Sequence, residues 1–259
     1  MISIKNPDQI GKMREAGALL YEVLCRLREA IKPGMSTAEL DVYAEQLIRK
    51  HKAIPSFLDY QGYPASICAS LNDEVVHGIP ADDAIIKEGD ILSIDCGLIL
   101  DGWQADSAFT VGVGEITPEA RKLIDVTEES FYKGIRKAIA GNHLGDIGHA
   151  VQAHAESFGY GVVRDLTGHG IGRDMHEDPS VPNFGRPGHG TRLRAGMALA
   201  IEPMIAMGDY HVAQLDDGWT IVTEDGSLCS HYEHTIAINE KGLPELLTYP
   251  GYVLTEEAE

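Results

Sequence analysis

The sequence predicts an α+β fold in a single domain, and three observations carry that prediction. Helical periodicity spans Asn6 to about Ile48 and returns after Thr117. Short apolar strands follow each helical block. The order helices, strands, helices, strands differs from the strict alternation of a parallel β-α-β sheet. The block occurs twice, which is consistent with two related halves, although their residue-level similarity is weak. With 259 residues and 44% hydrophobic content the chain can bury one large core.

The elements follow in order. Asn6-Pro7-Asp8 starts a helix, because Asn caps the first amides and Pro fits the first turn. Ile10, Met13, Leu20, Leu24, Leu27 and Ile31 then recur at helical intervals on one face, and Pro33-Gly34 ends it. Ser36 with Glu39 forms a capping box for a second helix, to about Ile48. A loop carrying Pro and Tyr covers 55–64. Residues 66–71 and 74–77 read as short strands around Asn72-Asp73. Ile91–Leu100 (ILSIDCGLIL) is a buried strand, Asp101-Gly102 a hairpin turn, and 103–111 the return strand. The hairpin sets Asp95 and Asp106 on opposite arms, facing each other within a residue or two of register. Adjacent strands lie about 4.8 Å apart, so both side chains can reach one metal pair. Thr117-Pro118-Glu119 starts a helix to about Ala140, and 145–158 form another. Strands return at 161–165, 198–203, 218–223 and 233–239. The Pro- and Gly-rich stretch 178–195 reads as a long surface loop.

Composition narrows the function. Lys plus Arg total 21 against 40 Asp plus Glu, a net charge of −19, which argues against general affinity for nucleic acid or anionic membrane. Solubility accounts for most of the acidity, and 255–259 (TEEAE) read as a solvated tail. Cys25, Cys68, Cys96 and Cys229 form no CxxC motif and are too scattered for a disulfide framework, as expected of reduced thiols in a cytoplasm. The start, MISIKNPDQI, lacks the basic and apolar regions of a signal peptide, and no apolar run has membrane-spanning length.

Five residues stand out in short distinctive segments: Asp95 (SIDCG), Asp106 (QADSAFT), His169 (TGHGIG), Glu202 (AIEP) and Glu233 (HYEHT). Four carboxylates gathered in one pocket would carry about −4, which burial does not tolerate without cations. With an imidazole they make an oxygen-rich set suited to a dinuclear hydrolytic site. Singly, each has a plainer explanation. Asp95 could pair with an Arg or a backbone amide at an edge, and Asp106-Ser107 could make a turn. His169 could lie in an ordinary glycine-rich turn, and His176, beside Glu177 and Asp178, in a surface charge cluster. His77, ending the apolar segment VVHGIP, could be a hydrogen-bonded structural histidine. Glu202, in the apolar ALAIEPM, is hard to read as a solvated face.

Together, in this order and spacing, these segments resemble the type I methionine aminopeptidases of peptidase family M24. The resemblance runs from the first helix to the strand after Glu233. The segment from His176 to Glu202 lacks the long insertion of type II enzymes, and no cysteine-rich extension precedes the first helix, as in the minimal bacterial form. The resemblance implies a pita-bread fold, two pseudo-symmetric halves around a central antiparallel sheet, forming one catalytic domain over 1–259. It implies two divalent ions (cobalt, manganese, iron or zinc) that activate a water. Asp95 would hold one, Asp106 and Glu233 would bridge, and His169 and Glu202 would complete the other. It implies Glu202 as proton shuttle, His176 as oxyanion donor, and His77 as a hydrogen-bonding partner of the scissile amide. The methionine side-chain pocket maps to Tyr60, Tyr63, Cys68, Met175, Trp219 and His231. Substrates would be nascent polypeptide N-termini with a small second residue. The enzyme would be a cytoplasmic monomer in transient contact with the ribosome, with no membrane or specific nucleic-acid partner. Its own bulky Ile2 implies that Met1 is retained. By the same analogy a monovalent cation lies near Asn72, Glu74 and Cys229. Gln61, Met175 and His231 depart from the common His, Phe and Gln, and none is a metal ligand. Two other readings stay open: an Xaa-Pro peptidase, which usually carries an extra N-terminal domain, and a non-catalytic binding module, which typically loses ligands.

Overall fold

The computed structural model describes residues 1–252, so the tail expected at 255–259 lies outside the described residues. The helices are α1 (Pro7–Ala30), α2 (Thr37–Lys50), α3 (Pro118–Ile135) and α4 (Leu144–Ser157). Their starts follow the expected chemistry. Asn6 and Gln9 exchange side-chain to backbone hydrogen bonds at 2.9 Å each way. Ser36 and Glu39 do the same at 3.2 and 2.9 Å, and Thr117 accepts from the Ala120 amide at 3.1 Å. Each cap is worth about 1 kcal/mol. Helix α3 ends at Ile135, short of the expected Ala140. Lys137 and Ala138 donate to the carbonyls of Gly134 and Ile135, so three-residue bonds replace the helical ladder and tighten the chain into turns.

The first half supplies strands β1 (Ile54–Pro55), β2 (Ile67–Leu71), β3 (Glu74–Val76), β4 (Ile91–Leu100) and β5 (Trp103–Gly112). The second supplies β6 (Gly161–Val162), β7 (Gly168–Gly170), β8 (Glu177–Val181), β9 (Ala198–Ile201), β10 (Met204–Ala206), β11 (Val212–Gln214), β12 (Ile221–Thr223), β13 (Cys229–His231), β14 (Glu233–Ile238) and β15 (Pro244–Leu246). The main sheet runs β1-β4-β5-β14-β9-β7-β8, with β2 also on β4 and β15 also on β14. Two three-stranded sheets, β13-β10-β6 and β11-β12-β3, flank it. Every pairing is antiparallel. The β4–β5 turn is Asp101-Gly102 with φ of 50° and 76°, the left-handed pair a two-residue hairpin requires.

Each half packs one helix pair on the sheet. Leu20, Leu27, Leu40 and Ile48 of α1 and α2 bury against Ile67, Ile94 and Leu98. Phe131, Ile135 and Ile147 of α3 and α4 bury against Leu199, Ile201, Ile236 and Ile238. Strand side chains alternate between faces. Since Ile94, Cys96 and Leu98 face the helices, Asp95 and Gly97 face away; since Ile236 and Ile238 do, Glu233 and Thr235 face away.

Further expectations change: the strands expected over 161–165 and 218–223 shrink to β6 and β12. The loop expected over 178–195 begins later, because β8 extends the main sheet and buries Val181. The His169 segment is strand β7, not a loop. Its glycines allow close strand approach: a Cβ at Gly168 or Gly170 would collide with the carbonyl oxygen of Ala200 or Asp178.

Candidate metal centre

The sheet register builds the site as two adjacent rows. Asp95 pairs with Ala108, and Ala108 with Glu233. Continuing the β14–β9 register, in which His234 pairs with Ile201, sets Glu233 opposite Glu202. In the next row Gly97 pairs with Asp106, Thr235 with Ala200, and Ala200 with His169. Thr235 joins Asp106 to this row: its hydroxyl accepts from the Asp106 amide at 3.0 Å and donates to the Asp106 carbonyl at 2.8 Å. Between the five candidate ligands in these rows stand Ala108, Thr235 and Ala200, while Met175 and Phe57 pack over Gly97 at the row's end.

Ligand atoms of Asp106, His169 and Glu233 lie within 4.8 Å of one another. His169 Nε2 is 3.7 Å from both Asp106 Oδ2 and Glu202 Oε1. His169 Nδ1 donates to the Gly170 carbonyl at 2.8 Å, and burial lowers the ring's pKa. The neutral ring therefore turns its Nε2 lone pair toward the carboxylates. Ser107 Oγ donates to the Glu233 carbonyl at 2.7 Å, and Asn183 Nδ2 to the Glu202 carbonyl at 3.0 Å.

The donor set fits divalent cations. Asp95 Oδ1, Asp106 Oδ1 and Glu233 Oε1 are buried with no hydrogen-bond partner. Burial, and then repulsion from the neighbouring acids, pushes Asp95, Glu202 and Glu233 well above the ordinary carboxylate range. Among the described residues no Lys or Arg pairs with any of them; the only basic side chains within 4.0 Å are the imidazoles of His169 and His231, whose pKa values burial lowers. Four hard carboxylates and one imidazole without a counter-cation match two divalent ions.

These side chains line a cavity of about 220 Å³. Its wall also holds His77, His176, Tyr60, Tyr63, Cys68 and Trp219, together with Phe57 and Gln61. His176 Nδ1 is 2.8 Å from the Tyr60 hydroxyl, and its ring centroid is 4.3 Å from that of His169. Burial and then His169 bring its pKa down to about 4. His77, with φ of 60°, meets Trp219 edge-on at 6.2 Å, and burial lowers its pKa. Tyr63 also meets Trp219 edge-on, at 5.1 Å, and its hydroxyl bonds the carbonyls of Ile67 and Gly78. Burial keeps the Cys68 thiol protonated. All four cysteines are free.

Met175 and His231 stand one layer behind this wall. Met175 is 2% exposed and packs where a Cβ on Gly97 would lie, 2.8 Å from its methyl group. His231 is 1% exposed, with Nε2 3.9 Å from Glu202 Oε2 and no hydrogen bond at either ring nitrogen. Near the expected monovalent site, the Asn72 carbonyl accepts from the Cys229 amide at 2.8 Å, and Glu74 accepts from the Leu71 amide at 2.7 Å. Phe57 and Asn183 were missed at the sequence level. An aromatic in the 55–64 loop is a weak signal for Phe57, and Asn183 offered none.

Comparison with known proteins agrees with this geometry. Residues 11–240 match the profile of Metallopeptidase family M24. The methionine aminopeptidase of Clostridium acetobutylicum is 58% identical over 248 residues, covering 96% of this chain and 99% of the relative. The crystal structure of methionine aminopeptidase from Rickettsia prowazekii superposes with a TM-score of 0.94 at 44% identity, covering 96% of this chain and 100% of that one. An Xaa-Pro dipeptidase from Bacillus anthracis superposes with a TM-score of 0.76 at 24% identity, a likeness of fold alone, and this chain covers 61% of it. The fold is thus the curled antiparallel pita-bread architecture that the resemblance implied.

Proposed function

The chain belongs to metallopeptidase family M24, and we propose that it is a methionine aminopeptidase, removing the first residue of peptides and nascent chains whose second residue is small. The observation that supports this most directly is the pair of ligand rows flooring a small cavity. Asp95, Asp106, His169, Glu202 and Glu233 would hold two divalent ions. Asp95 would hold one, Asp106 and Glu233 would serve both, and His169 with Glu202 would complete the other. When bound, the ions would lower the pKa of a water and polarise the scissile carbonyl, worth several kcal/mol of the barrier. The donor set accommodates iron, manganese, cobalt or zinc.

The chain's own groups do the rest. Glu202, beside the ions and within reach of the attacking water, would take a proton from it and pass it to the leaving amine. His176 is neutral at pH 7. With Nδ1 accepting from Tyr60, its Nε2–H is free to donate to the scissile carbonyl oxygen as negative charge develops. His77 bonds the scissile amide. The substrate's free N-terminal amine would lie near a metal, which favours N-termini over internal bonds. Tyr63, Trp219, Phe57 and the neutral Cys68 thiol make a soft wall suited to a thioether, with Tyr60 at the rim and Met175 and His231 shaping it from behind. A monovalent cation near Asn72, Glu74 and Cys229 belongs to the same reading.

One catalytic domain over 1–259 accounts for the cores of both halves meeting on one sheet. Among the described residues no helix is long and apolar enough to cross a membrane. A cytoplasmic monomer meeting nascent chains at the ribosome is part of the proposal.

The test is cleavage of Met-Ala-Ser beside Leu-Ala-Ser and Met-Pro-Ser, after chelation and after return of cobalt, manganese or ferrous iron. Metal-dependent release of methionine, with little leucine, is expected. Preference for Met-Pro-Ser would favour an Xaa-Pro peptidase, and no release under any metal would favour a binding module.

A further inference from the structure

Behind the ligand rows, on the helix-covered face of the same sheet, lies a second cavity of about 150 Å³. Its floor is Ser107 of β5 and His234 of β14, each one position along from a ligand and therefore turned to the opposite face. Its walls come from α1, α3 and the segment after β15. We propose that this cavity is a second ligand site, for a small zwitterionic α-amino acid with an apolar side chain.

The charges carry the argument. Arg28 of α1 and Glu128 of α3 both line the cavity and act on each other electrostatically. They do not pair. The exposed Arg28 guanidinium lies over the Phe109 ring at 4.4 Å, and among the described residues Glu128 accepts only from the Tyr232 hydroxyl, at 3.3 Å. The half-buried Glu128 carboxylate and the exposed Arg28 guanidinium, unpaired on two walls of one cavity, are complemented by a molecule with an ammonium and a carboxylate on one carbon. A simple anion or cation would engage only one of the two walls. On the floor, His234 is buried and held by Ser107, Thr248 and Tyr232 at 2.9 to 3.1 Å.

Size and lining set the rest of the ligand. The volume, about 150 Å³, is on the scale of a single amino acid and too small for a drug-sized molecule. Tyr21 and Tyr249, stacked at 5.1 Å, and Phe109 offer aromatic surface to an apolar side chain. The reaction proposed above releases one such molecule, so L-methionine is the probe of choice. The Ser107 hydroxyl, bonded to the Glu233 carbonyl, connects this floor to the ligand rows.

The experiment is titration calorimetry of chelator-treated, full-length protein, in which the ligand rows hold no metal to engage an amine. L-methionine is expected to bind with a dissociation constant of about 1 mM or tighter. L-methionine amide and N-acetyl-L-methionine, each lacking one charge, are expected to bind about tenfold more weakly or worse. Arg28→Leu and Glu128→Gln, with folding checked by circular dichroism, are each expected to weaken L-methionine by a similar factor. No heat of binding, equal binding of the single-charge analogues, or affinity untouched by both substitutions would overturn the proposal. None of these results depends on peptide cleavage.

Discussion

Glu233→Gln is expected to change the sign of its effect on stability with metal occupancy. Ligand atoms of Glu233 and Asp106 lie within 4.8 Å, so two full charges there repel by about 3.5 kcal/mol at an effective dielectric of about 20. The folded pKa of Glu233 is raised from an ordinary 4.5 by burial, then by Asp106, Glu202 and Asp95. A group raised in this way contributes stability fully below its unfolded pKa and loses it as pH climbs toward the folded value, about 1.4 kcal/mol per pH unit. Metal-free wild type therefore weakens as pH rises above about 4.5, and Glu233→Gln removes that loss. At about pH 7.5 the metal-free variant should be more stable by up to about 3.5 kcal/mol, the repulsion it removes, raising Tm by up to about 10 °C for a chain this long. Near pH 5 the gain should almost vanish. With divalent metal present the substitution removes an anionic ligand, and the variant should melt below wild type. Calorimetric melts at both pH values, with and without chelator, decide it. A metal-free variant that melts below wild type at pH 7.5, or a pH-independent difference, would refute the reasoning.

Other perturbations act on single roles. Asp95→Ala and Glu202→Ala should each abolish turnover on Met-Ala-Ser with the circular dichroism spectrum retained; near-normal rates in either would sink their assignment. His176→Ala should lower kcat by about two to three powers of ten, and a change in KM alone would contradict an oxyanion role. Because its pKa is down to about 4, His176 is neutral at higher pH, so that deficit should stay level from about pH 6 to about pH 9. Thr235→Val breaks both bonds to the Asp106 backbone and should cost about 1–2 kcal/mol in chemical denaturation. It should also weaken metal affinity about tenfold by calorimetry, and unchanged affinity would show that Thr235 supports only the fold.

What could be read from the sequence was local. Asn6, Ser36 and Thr117 announce helix starts because a cap bonds amides two or three residues away. Asp101-Gly102 announces the β4–β5 hairpin because a two-residue turn needs left-handed backbone at both positions. The diagonal of Asp95 and Asp106 then follows by counting, and the register confirms it. What stayed hidden was set across the sheet. Strand β8 begins Glu177-Asp178-Pro179, a composition that reads as loop, and becomes a strand only because β7 offers a partner edge. The pairing of β14 with β5 joins residues more than a hundred positions apart, and no local pattern announces it. The depth of His231 and the reach of Asn183 to the Glu202 carbonyl depend on the same distant packing. The five ligands were recognisable one by one, while their convergence rested on resemblance alone.

That convergence has a physical logic in the parity of the strands. A side chain two positions along keeps its face, and one position along changes it. Asp95, Asp106 and Glu233 share the open face, whereas Cys96, Ser107 and His234 share the helix-covered one. The acids repel one another, so the chain gains nothing from gathering them except a place for cations; the structure must hold them in position by other means. It does so from the backbone. Thr235 grips both backbone groups of Asp106, Ser107 holds the Glu233 carbonyl, and Asn183 holds the Glu202 carbonyl. None of these bonds uses a carboxylate oxygen. The rows are thereby aligned while Asp95, Asp106 and Glu233 each keep a buried oxygen free, and the small Ala108 and Ala200 stand between them. A loop-built site would have to find its alignment from side-chain bonds, which would occupy the same oxygens that the cations need.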